Sequence, residues 1–298
     1  MSDSGFSDQH CSGSQQLPPN HPRDAEPRYS KDGKYIVLND QQEQTRLDLQ
    51  HTILKTLLKG KLNLAPVSNT AHVLDLGTGT GIWAIEFAEQ NPLSSVLGTD
   101  LSEIQALSFP PNCRFKIADA DEWAYTRPFD YIHSRSMLYH LKTDWRVYFG
   151  RAYANLAPGG WAEFKESDLH FQGIDDATEG TVLQRWNGLL IKSYMEEAGF
   201  VGVEEKKFAV PMSPWPEDEE QKALGVIQLE NMLAGIEVLT MSVFVRMLGW
   251  EAKDVEQLVK EVKKDLTDPK CWNIYARVQS GQDDATGGVY YRGSSHVA

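Results

Sequence analysis

A glycine-rich stretch between residues 75 and 81 carries the clearest chemical pattern of this sequence. It reads Asp-Leu-Gly-Thr-Gly-Thr-Gly, so that glycine stands at every second position from 77. Glycine adopts positive φ values easily and lets a ligand approach bare backbone. The apolar run 71–76 before it predicts a buried strand, and the apolar segment from Ile82 predicts the start of a helix. The free N–H groups at such a helix start favour a ligand with negative charge or lone pairs.

The spacing of these glycines differs from that of dinucleotide-binding turns. Those turns have the pattern G-x-G-x-x-G, whereas this chain has G-x-G-x-G, with Ile82 where the third glycine would stand. Asp75 begins the motif, and Asp100 follows the next predicted strand, 95–99. Acidic residues suit a cationic nucleoside without a pyrophosphate better than they suit a dinucleotide. A dinucleotide, another cofactor, or a turn that binds nothing remain the alternatives.

This combination resembles the nucleotide-binding half of class I S-adenosylmethionine (SAM) methyltransferases. The resemblance implies that the glycine turn passes under the methionine part of SAM and that Asp100 holds the ribose hydroxyls. It also implies an acid after the third strand that accepts from the adenine amino group, for which we choose Asp119; a polar loop with a helix N-cap is the alternative. The predicted cofactor-binding residues are Asp75, Gly77, Thr78, Gly79, Gly81, Asp100, Leu101, Asp119, Ala120, Trp123, His133 and Ser134.

Histidines after the fourth predicted strand are candidates for proton transfer. Methyl transfer is a displacement at carbon, so an enzyme mainly aligns the reactants, and a base helps when the acceptor is a hydroxyl or ammonium group. A histidine is suited because its pKa lies near neutrality. We choose His140 first and His133 second; His170 is a third option, and a structural role is the alternative for each. The predicted substrate contacts are Tyr139, His170, Met232 and Ile236.

The elements that position these residues alternate between strand and helix. This alternation predicts an α/β fold: a parallel-rich, Rossmann-like sheet of the class I methyltransferase type with helices on both faces. The predicted strands are 71–76, 95–99, 113–117, 129–134, 160–167, 203–211 and 271–279. The predicted helices lie near 81–91, 102–107, 142–157 and 179–199.

Composition and capping signals divide the chain into four segments. Residues 1–30 are rich in polar residues and predict disorder. Residues 282–298 predict a flexible tail, although the apolar run 289–291 could dock on the rest of the protein. Residues 31–66 form an N-terminal helical addition, with a capping box from Asp40 to Glu43 and a stop at Gly60. The SAM-binding domain takes residues 67–281, with a helical cap insertion at 213–268. Apolar residues in this cap predict either core packing or a lid over the substrate.

Bulk properties limit the partners. The net charge is −13 without a basic cluster, so we predict no nucleic-acid binding, and no apolar run reaches the roughly 18 residues that span a bilayer. Three cysteines far apart and the lack of a secretory signal predict the cytoplasm, with the nucleus as the alternative. We predict no metal site, although Asp168, Asp175 and Asp176 form a loose acidic group. The oligomeric state stays open.

Several stretches together resemble the fungal LaeA-like methyltransferases of secondary metabolism. They are 35–51, 74–84, 129–135, 156–161 and 248–250. This resemblance implies that Tyr35, Arg46 and His51 lie near the SAM pocket or its lid, unless they are packing or surface residues. Where the family prefers proline before the Asn-Asp pair, this chain has Leu38.

The function implied is methylation of an oxygen or nitrogen atom of a small, largely apolar natural product. A regulatory protein of secondary metabolism is one alternative. The other is a catalyst with the same fold that uses the pocket for a rearrangement or cyclisation without methyl transfer.

Overall fold

The computed structural model describes residues 41–123, 125–137, 144–166, 192–208, 210–241, 244–245, 249–269, 275–276 and 289–294. The segment predicted to be disordered, 1–30, lies outside these residues.

A seven-stranded sheet forms the centre of the molecule. Its strands, in chain order, are β1 (His72–Leu76), β2 (Ser95–Asp100), β3 (Cys113–Ile117), β4 (Phe129–Arg135), β5 (Leu156–Glu166), β6 (Val201–Lys207) and β9 (Val289–Ser294). The order across the sheet is β3-β2-β1-β4-β5-β9-β6. Strands β1 to β5 run parallel, whereas β9 is antiparallel to both neighbours. The predicted α/β, Rossmann-like fold is therefore confirmed.

The strand order reverses direction at β1. The chain moves outward from β1 to β2 and β3 and then returns to place β4 on the other side of β1. In open α/β sheets, a ligand crevice forms beyond the carboxyl ends of the strands at such a switch point. The glycine turn follows β1 and therefore lies in that position.

Helices cover both faces of the sheet. They are α1 (Gln41–Leu57), α2 (Ile82–Gln90), α3 (Trp145–Ala154), α4 (Glu219–Thr240) and α5 (Ala252–Thr267), and residues 192–197 are also helical. Alternate residues of β1 bury Leu74 against α3 and Val73 against α2, as the period of two of a strand requires. None of the described helices is long and apolar enough to cross a membrane.

The helix predicted near 102–107 is wrong. These residues form bends instead, since side chains here bond to nearby backbone. The Asp100 carboxylate accepts from the N–H of Ser102, and the Gln105 side chain donates to the carbonyls of Ser102 and Gly79. Such local bonds compete with a helix.

The flexible tail predicted for 282–298 is also wrong for residues 289–294. They form β9, which fills the space between β5 and β6. Valine and tyrosine favour strands, and β9 pairs backbone groups of both neighbours that would otherwise be left at open edges. The predicted strand 203–211 divides into β6 and the short β7 (Val210–Pro211), and β7 pairs with β8 (Tyr275–Ala276).

The helical cap is built from α1 and α4, which pack together. Ile53 of α1 is buried with Val210 and Leu224. Gly225 lets α4 approach the chain closely, because a Cβ at this position would lie 2.3 Å from the carbonyl oxygen of Ser213. The cap predicted at 213–268 is therefore helical over α4 and α5, and α1 connects it to the glycine turn.

Candidate cofactor site

The glycine turn joins β1 to α2 with a backbone that only glycine adopts readily. The φ values are 65° at Gly77, 57° at Gly79 and 80° at Gly81. A Cβ at Gly77 would lie 2.5 Å from the Sδ of Met137, and one at Gly81 would lie 2.6 Å from the Cζ of Phe115. Glycine is therefore required at these positions for conformation and for space. The turn exposes bare backbone at the start of α2, which is the cradle that a nucleoside cofactor needs.

Asp75 ties this turn to the neighbouring strand. Its carboxylate accepts a 2.6 Å hydrogen bond from the hydroxyl of Thr78 and another of 2.6 Å from Nδ1 of His133 on β4. Asp75 is 2% exposed, and burial raises its pKa to about 6. Asp75 and Thr78 thus stabilise the turn from the interior of the protein. Both predicted residues lie at the site, and both are buried.

Asp100 lies beside the turn, as predicted. One carboxylate oxygen accepts from the N–H of Gly79 at 2.9 Å, and the other accepts from the N–H of Ser102 at 2.9 Å. Burial raises the pKa of Asp100. Leu101 follows and is partly buried. The carboxyl ends of β1 and β2 therefore bring an acid into contact with the glycine turn.

The predicted adenine-side residues follow β3 on the same edge of the sheet. Asp119 accepts from the N–H of Asp121 at 2.9 Å, which makes a local turn, and residues 121–123 form no helix. The indole of Trp123 donates to the carbonyl of Ala120 at 2.8 Å. Asp119, Ala120 and Trp123 are all partly buried. The loop therefore caps no helix at residues 121–123, and these side chains are partly exposed. Their contact with adenine stays a prediction.

His133 and Ser134 lie below the site rather than in it. Both are 0% exposed. The His133 ring stacks on Trp83 with centroids 3.7 Å apart, and the Tyr148 hydroxyl donates to Ser134 Oγ at 2.9 Å. Burial lowers the pKa of His133 well below its usual value. The choice of His133 as a base is therefore wrong for this geometry, because a methyl acceptor has no access to its ring.

The remaining predicted catalytic and substrate residues are only partly visible. His140, Tyr139, His170, Tyr35 and the acidic group at Asp168, Asp175 and Asp176 lie outside the described residues. Met232 and Ile236 lie on α4 and are partly buried. Within the described part of the chain, no cluster of histidine, cysteine or acidic side chains is arranged to hold a metal ion.

Helix α1 closes one side of the turn. The Thr80 hydroxyl donates to Asp48 Oδ1 at 2.8 Å, and a Cβ at Gly79 would lie 3.4 Å from Leu47 Cδ1. Arg46, which the resemblance placed near the cofactor, donates to Glu43 of its own helix at 2.6 and 2.7 Å. The N-terminal helix therefore contacts the cofactor turn through Leu47 and Asp48.

A buried polar network, which the sequence analysis missed, lies on the α2 face of β4 and β5. Glu163 is 0% exposed; it accepts from the Tyr131 hydroxyl at 2.7 Å and from the N–H of Leu64 at 2.8 Å, and Lys165 Nζ lies 3.3 Å away. The sequence does contain a signal for this network. Polar residues stand at every second position of two strands, at 131, 133 and 135 and at 163 and 165, so they share one face of the sheet.

Helix α1 completes this network with His51. Arg135 donates to His51 Nδ1 at 2.9 Å, and His51 Nε2 lies 3.3 Å from Glu86 Oε2. Burial, the largest cause, and the nearby Arg135 charge lower the pKa of His51 to about 4. His51 is therefore neutral at pH 7, as its acceptance of a hydrogen bond from an arginine requires.

Comparison with known proteins agrees with this geometry. A family model described as a methyltransferase domain matches residues 41–205. The chain is 35% identical over 269 residues to a probable methyltransferase, tdiE, of Emericella nidulans, covering 83% of each protein. It is 33% identical over 254 residues to methyltransferase pytC of Aspergillus terreus, covering 78% of each. It is 31% identical to the secondary metabolism regulator laeA of Aspergillus fumigatus, covering 78% of this chain and 68% of that protein.

Proposed function

Because this chain belongs to the family of SAM-dependent methyltransferases, we propose that it methylates an oxygen or nitrogen atom of a small, largely apolar natural product in secondary metabolism. Family membership rests on the domain match over residues 41–205 and on the fungal relatives of 33 to 35% identity. The acceptor class is our inference, and the following structural features support it.

The observation that carries the proposal is the contact between the glycine turn and Asp100. Three positive-φ glycines and a carboxylate meet at the carboxyl edge of the sheet. Backbone groups without side chains suit the amino-acid part of SAM, and a carboxylate suits the two ribose hydroxyls. The residues proposed to hold the cofactor by direct contact are Gly77, Gly79, Gly81, Asp100, Leu101, Asp119, Ala120 and Trp123. Asp75 and Thr78 hold the turn in shape.

Methyl transfer places few chemical demands on the protein. SAM supplies a methyl group that its sulfonium already activates. The protein then has to align the acceptor atom with that methyl group and exclude water, which are tasks of positioning. A histidine base would remove the proton of a hydroxyl or ammonium acceptor. Since His133 is buried, His140 is the proposed base, and Tyr139 and His170 are proposed to contact the acceptor.

The cap supports an apolar acceptor. Met232 and Ile236 lie on helix α4, and both are partly buried. On the same helix, Leu224 is buried with Ile53 of α1, and Ile227 packs partly buried against this cluster. One side of α4 thus belongs to the core, which leaves Met232 and Ile236 as the proposed substrate contacts. An apolar wall of this kind favours ligands through the removal of apolar surface from water.

A regulatory role is the second candidate, and the 31% identity to the laeA protein favours it. Such a protein would work in the nucleus rather than in the cytoplasm, whereas an enzyme of small-molecule synthesis would work in the cytoplasm. The two candidates differ in their products, because only the enzyme releases a methylated small molecule.

Calorimetry and product analysis test the proposal together. The protein is titrated with SAM and then incubated with isotope-labelled SAM and a metabolite extract, and labelled small molecules are sought by mass spectrometry. We expect micromolar SAM binding and a labelled product. SAM binding without any labelled small molecule would contradict the enzymatic proposal and favour the regulatory one.

The variant Gly79→Asp tests the site itself. Its φ of 57° is strained for a side chain, and its carboxylate would stand beside that of Asp100, which now accepts from the N–H of Gly79. We expect SAM affinity to fall below detection. Gly202→Asp is the matched control, since Gly202 has a similar φ of 61° with nothing within 4 Å of its Cβ position. Equal SAM binding by the two variants would refute the site assignment.

A further inference from the structure

The shape of the glycine turn depends on how Thr78 is held, because Gly77 and Gly79 on either side of it are conformationally free. Both glycines have positive φ values, and a residue without a side chain adopts many backbone conformations. The N–H of Thr78 donates to the carbonyl of Thr99 at 2.9 Å, and its hydroxyl donates to Asp75 Oδ2 at 2.6 Å. The bond to Asp75 is therefore a tether of the turn that depends on side chains.

His133 of β4 is the other side chain that donates to Asp75. The two residues are cross-strand partners in the parallel pair of β1 and β4, and His133 Nδ1 lies 2.6 Å from Asp75 Oδ1. The ring is fully buried and stacks on Trp83 of α2, with centroids 3.7 Å apart and 8° between the planes. The Trp83 indole donates in turn to the carbonyl of Leu62 at 3.0 Å. Helix α2 therefore holds the ring with Nδ1 directed at the carboxylate.

The His133 ring is neutral and offers Asp75 one N–H. Its Nε2 is buried and has no hydrogen-bond partner among the described residues, so a second ring proton would be buried without an acceptor. Burial, the largest cause, and the charges of Lys165 and Arg135 lower the pKa of His133 well below its usual value. The neutral ring carries its proton on Nδ1, where the Asp75 carboxylate accepts it.

Protonation of Asp75 changes its bond to Thr78. As a carboxylate, Asp75 accepts from His133 on one oxygen and from the Thr78 hydroxyl on the other. Because the histidine N–H occupies Oδ1, an added proton lies on Oδ2, and the Thr78 hydroxyl has to rotate and accept instead of donating. A charge-assisted hydrogen bond is then replaced by a weaker neutral one. Burial raises the pKa of Asp75 to about 6, so this change falls just below neutral pH.

Other charged and titratable groups surround Asp75 and His133. Arg135 and Lys165 favour the carboxylate form of Asp75, and Asp100 opposes it. These groups stay in place when His133 is replaced, so a difference between variants at position 133 reports the donor that His133 supplies. The groups that face the pair among the described residues are Asp100 on β2, Cys113 on β3, Tyr131 and Arg135 on β4, Glu163 and Lys165 on β5, Tyr148 on α3 and His51 on α1, with the uncharged Trp83 from α2.

We propose that His133 is a positioning residue for SAM: its Nδ1–H keeps Asp75 in the carboxylate form that accepts from Thr78 and so shapes the glycine turn. The carboxylate also attracts SAM, whose sulfonium and ammonium groups are positively charged. This inference rests on the proposed function for the cofactor and not for the methyl acceptor.

The first measurement is the Kd of SAM for the parent between pH 5 and pH 8 by calorimetry. The apparent Kd equals the intrinsic Kd divided by the fraction of molecules in which Asp75 is ionised. With a pKa of about 6 for Asp75, this fraction falls about 10-fold from pH 7 to pH 5, and we expect SAM affinity to fall by the same factor. An affinity that is the same at pH 7 and pH 5 would overturn the proposal.

Leucine and asparagine at position 133 separate the donor from the ring. Both side chains have the same branched shape and both lose the stack on Trp83, but only asparagine keeps an N–H near the position of Nδ1. We expect His133→Asn to keep the pH midpoint of SAM affinity that the parent has. In His133→Leu the carboxylate loses a donor, so the midpoint should rise by about one to two pH units, as expected for a hydrogen bond to a charged group. SAM affinity at pH 7 should then be about 2- to 10-fold weaker.

The control is His72→Leu, which removes a histidine at the opposite end of β1, where the ring stacks on Phe129. It should keep the midpoint of the parent. Circular dichroism confirms that each variant is folded. If His133→Leu does not fold, His133→Gln replaces it, since the glutamine amide lies one bond farther from the main chain, near the position of Nε2.

Two results in the variants would overturn the proposal. One is a midpoint in His133→Leu, or in the glutamine variant that replaces it, equal to that of the parent. The other is the same rise in the asparagine variant, because that outcome assigns the effect to the ring and not to the donor. SAM binding without a methylated small molecule refutes the proposed acceptor and leaves this comparison intact, whereas a parent that does not bind SAM refutes both.

Discussion

Replacement of His51 by asparagine should change how stability depends on pH. The asparagine oxygen takes the place of Nδ1 and still accepts from Arg135, and histidine and asparagine have similar helix propensities. The difference is that asparagine does not titrate. In the parent, His51 is buried and neutral, with a pKa lowered from 6.5 to about 4.

The sign follows from this lowered pKa. The unfolded chain binds a proton at His51 more readily than the folded protein does, so this group's contribution to stability is present above pH 6.5 and is lost as the pH falls toward 4. Between pH 7 and pH 5, the expected loss from His51 is about 2 kcal/mol, calculated from pKa values of 6.5 unfolded and about 4 folded.

Asp75 acts in the opposite direction. Its pKa is raised from 3.8 to about 6, so its contribution is present below 3.8 and is lost as the pH rises through 6. Acidification from pH 7 to pH 5 should therefore add about 1 kcal/mol. In the parent the gain from Asp75 offsets about half of the loss from His51. Asp75 is present in both proteins, so it cancels when the variant is compared with the parent.

Urea unfolding followed by circular dichroism at pH 7 and pH 5 measures the effect. The quantity compared is the free energy of unfolding of His51→Asn minus that of the parent. This difference should be about 2 kcal/mol more favourable to the variant at pH 5 than at pH 7. His72→Asn, measured in parallel, shows what the same replacement does on strand β1, where the His72 ring stacks on Phe129. A gap between His51→Asn and the parent that is the same at both pH values would refute a buried neutral His51.

Two further variants test other parts of the molecule. Glu163→Gln should cost about 3–5 kcal/mol in urea unfolding, because it removes the buried carboxylate that lies 3.3 Å from Lys165 Nζ. Glu261→Gln, on the exposed side of α5, should change stability by less than about 0.5 kcal/mol. A cost below about 1 kcal/mol for Glu163→Gln would contradict the buried ion pair. His140→Ala should lower the rate of methyl transfer by about 100-fold or more while the calorimetric Kd for SAM stays unchanged; an unchanged rate would exclude His140 as the base.

Local patterns in the sequence were sufficient to predict the glycine turn and the strand and helix that flank it. The glycine turn, the strand before it and the helix after it follow one another directly, so their arrangement depends on neighbouring residues alone. Asp100 was chosen because the resemblance to class I methyltransferases implies an acid after the second strand. In the structure its carboxylate accepts from the N–H of Gly79 at 2.9 Å, and its role as a ribose ligand stays a prediction.

Tertiary structure alone decided which polar residues became buried. Alternation places His133, Arg135 and Lys165 on one face of their strands, yet it does not say whether that face meets solvent or another helix. Helix α1 covers it, and α1 lies 84 residues before Arg135 at the His51 contact. Strand β9 was missed for the same reason, because its partners β5 and β6 lie far away in sequence. Contacts between distant segments determine burial, and burial determines which charges need partners.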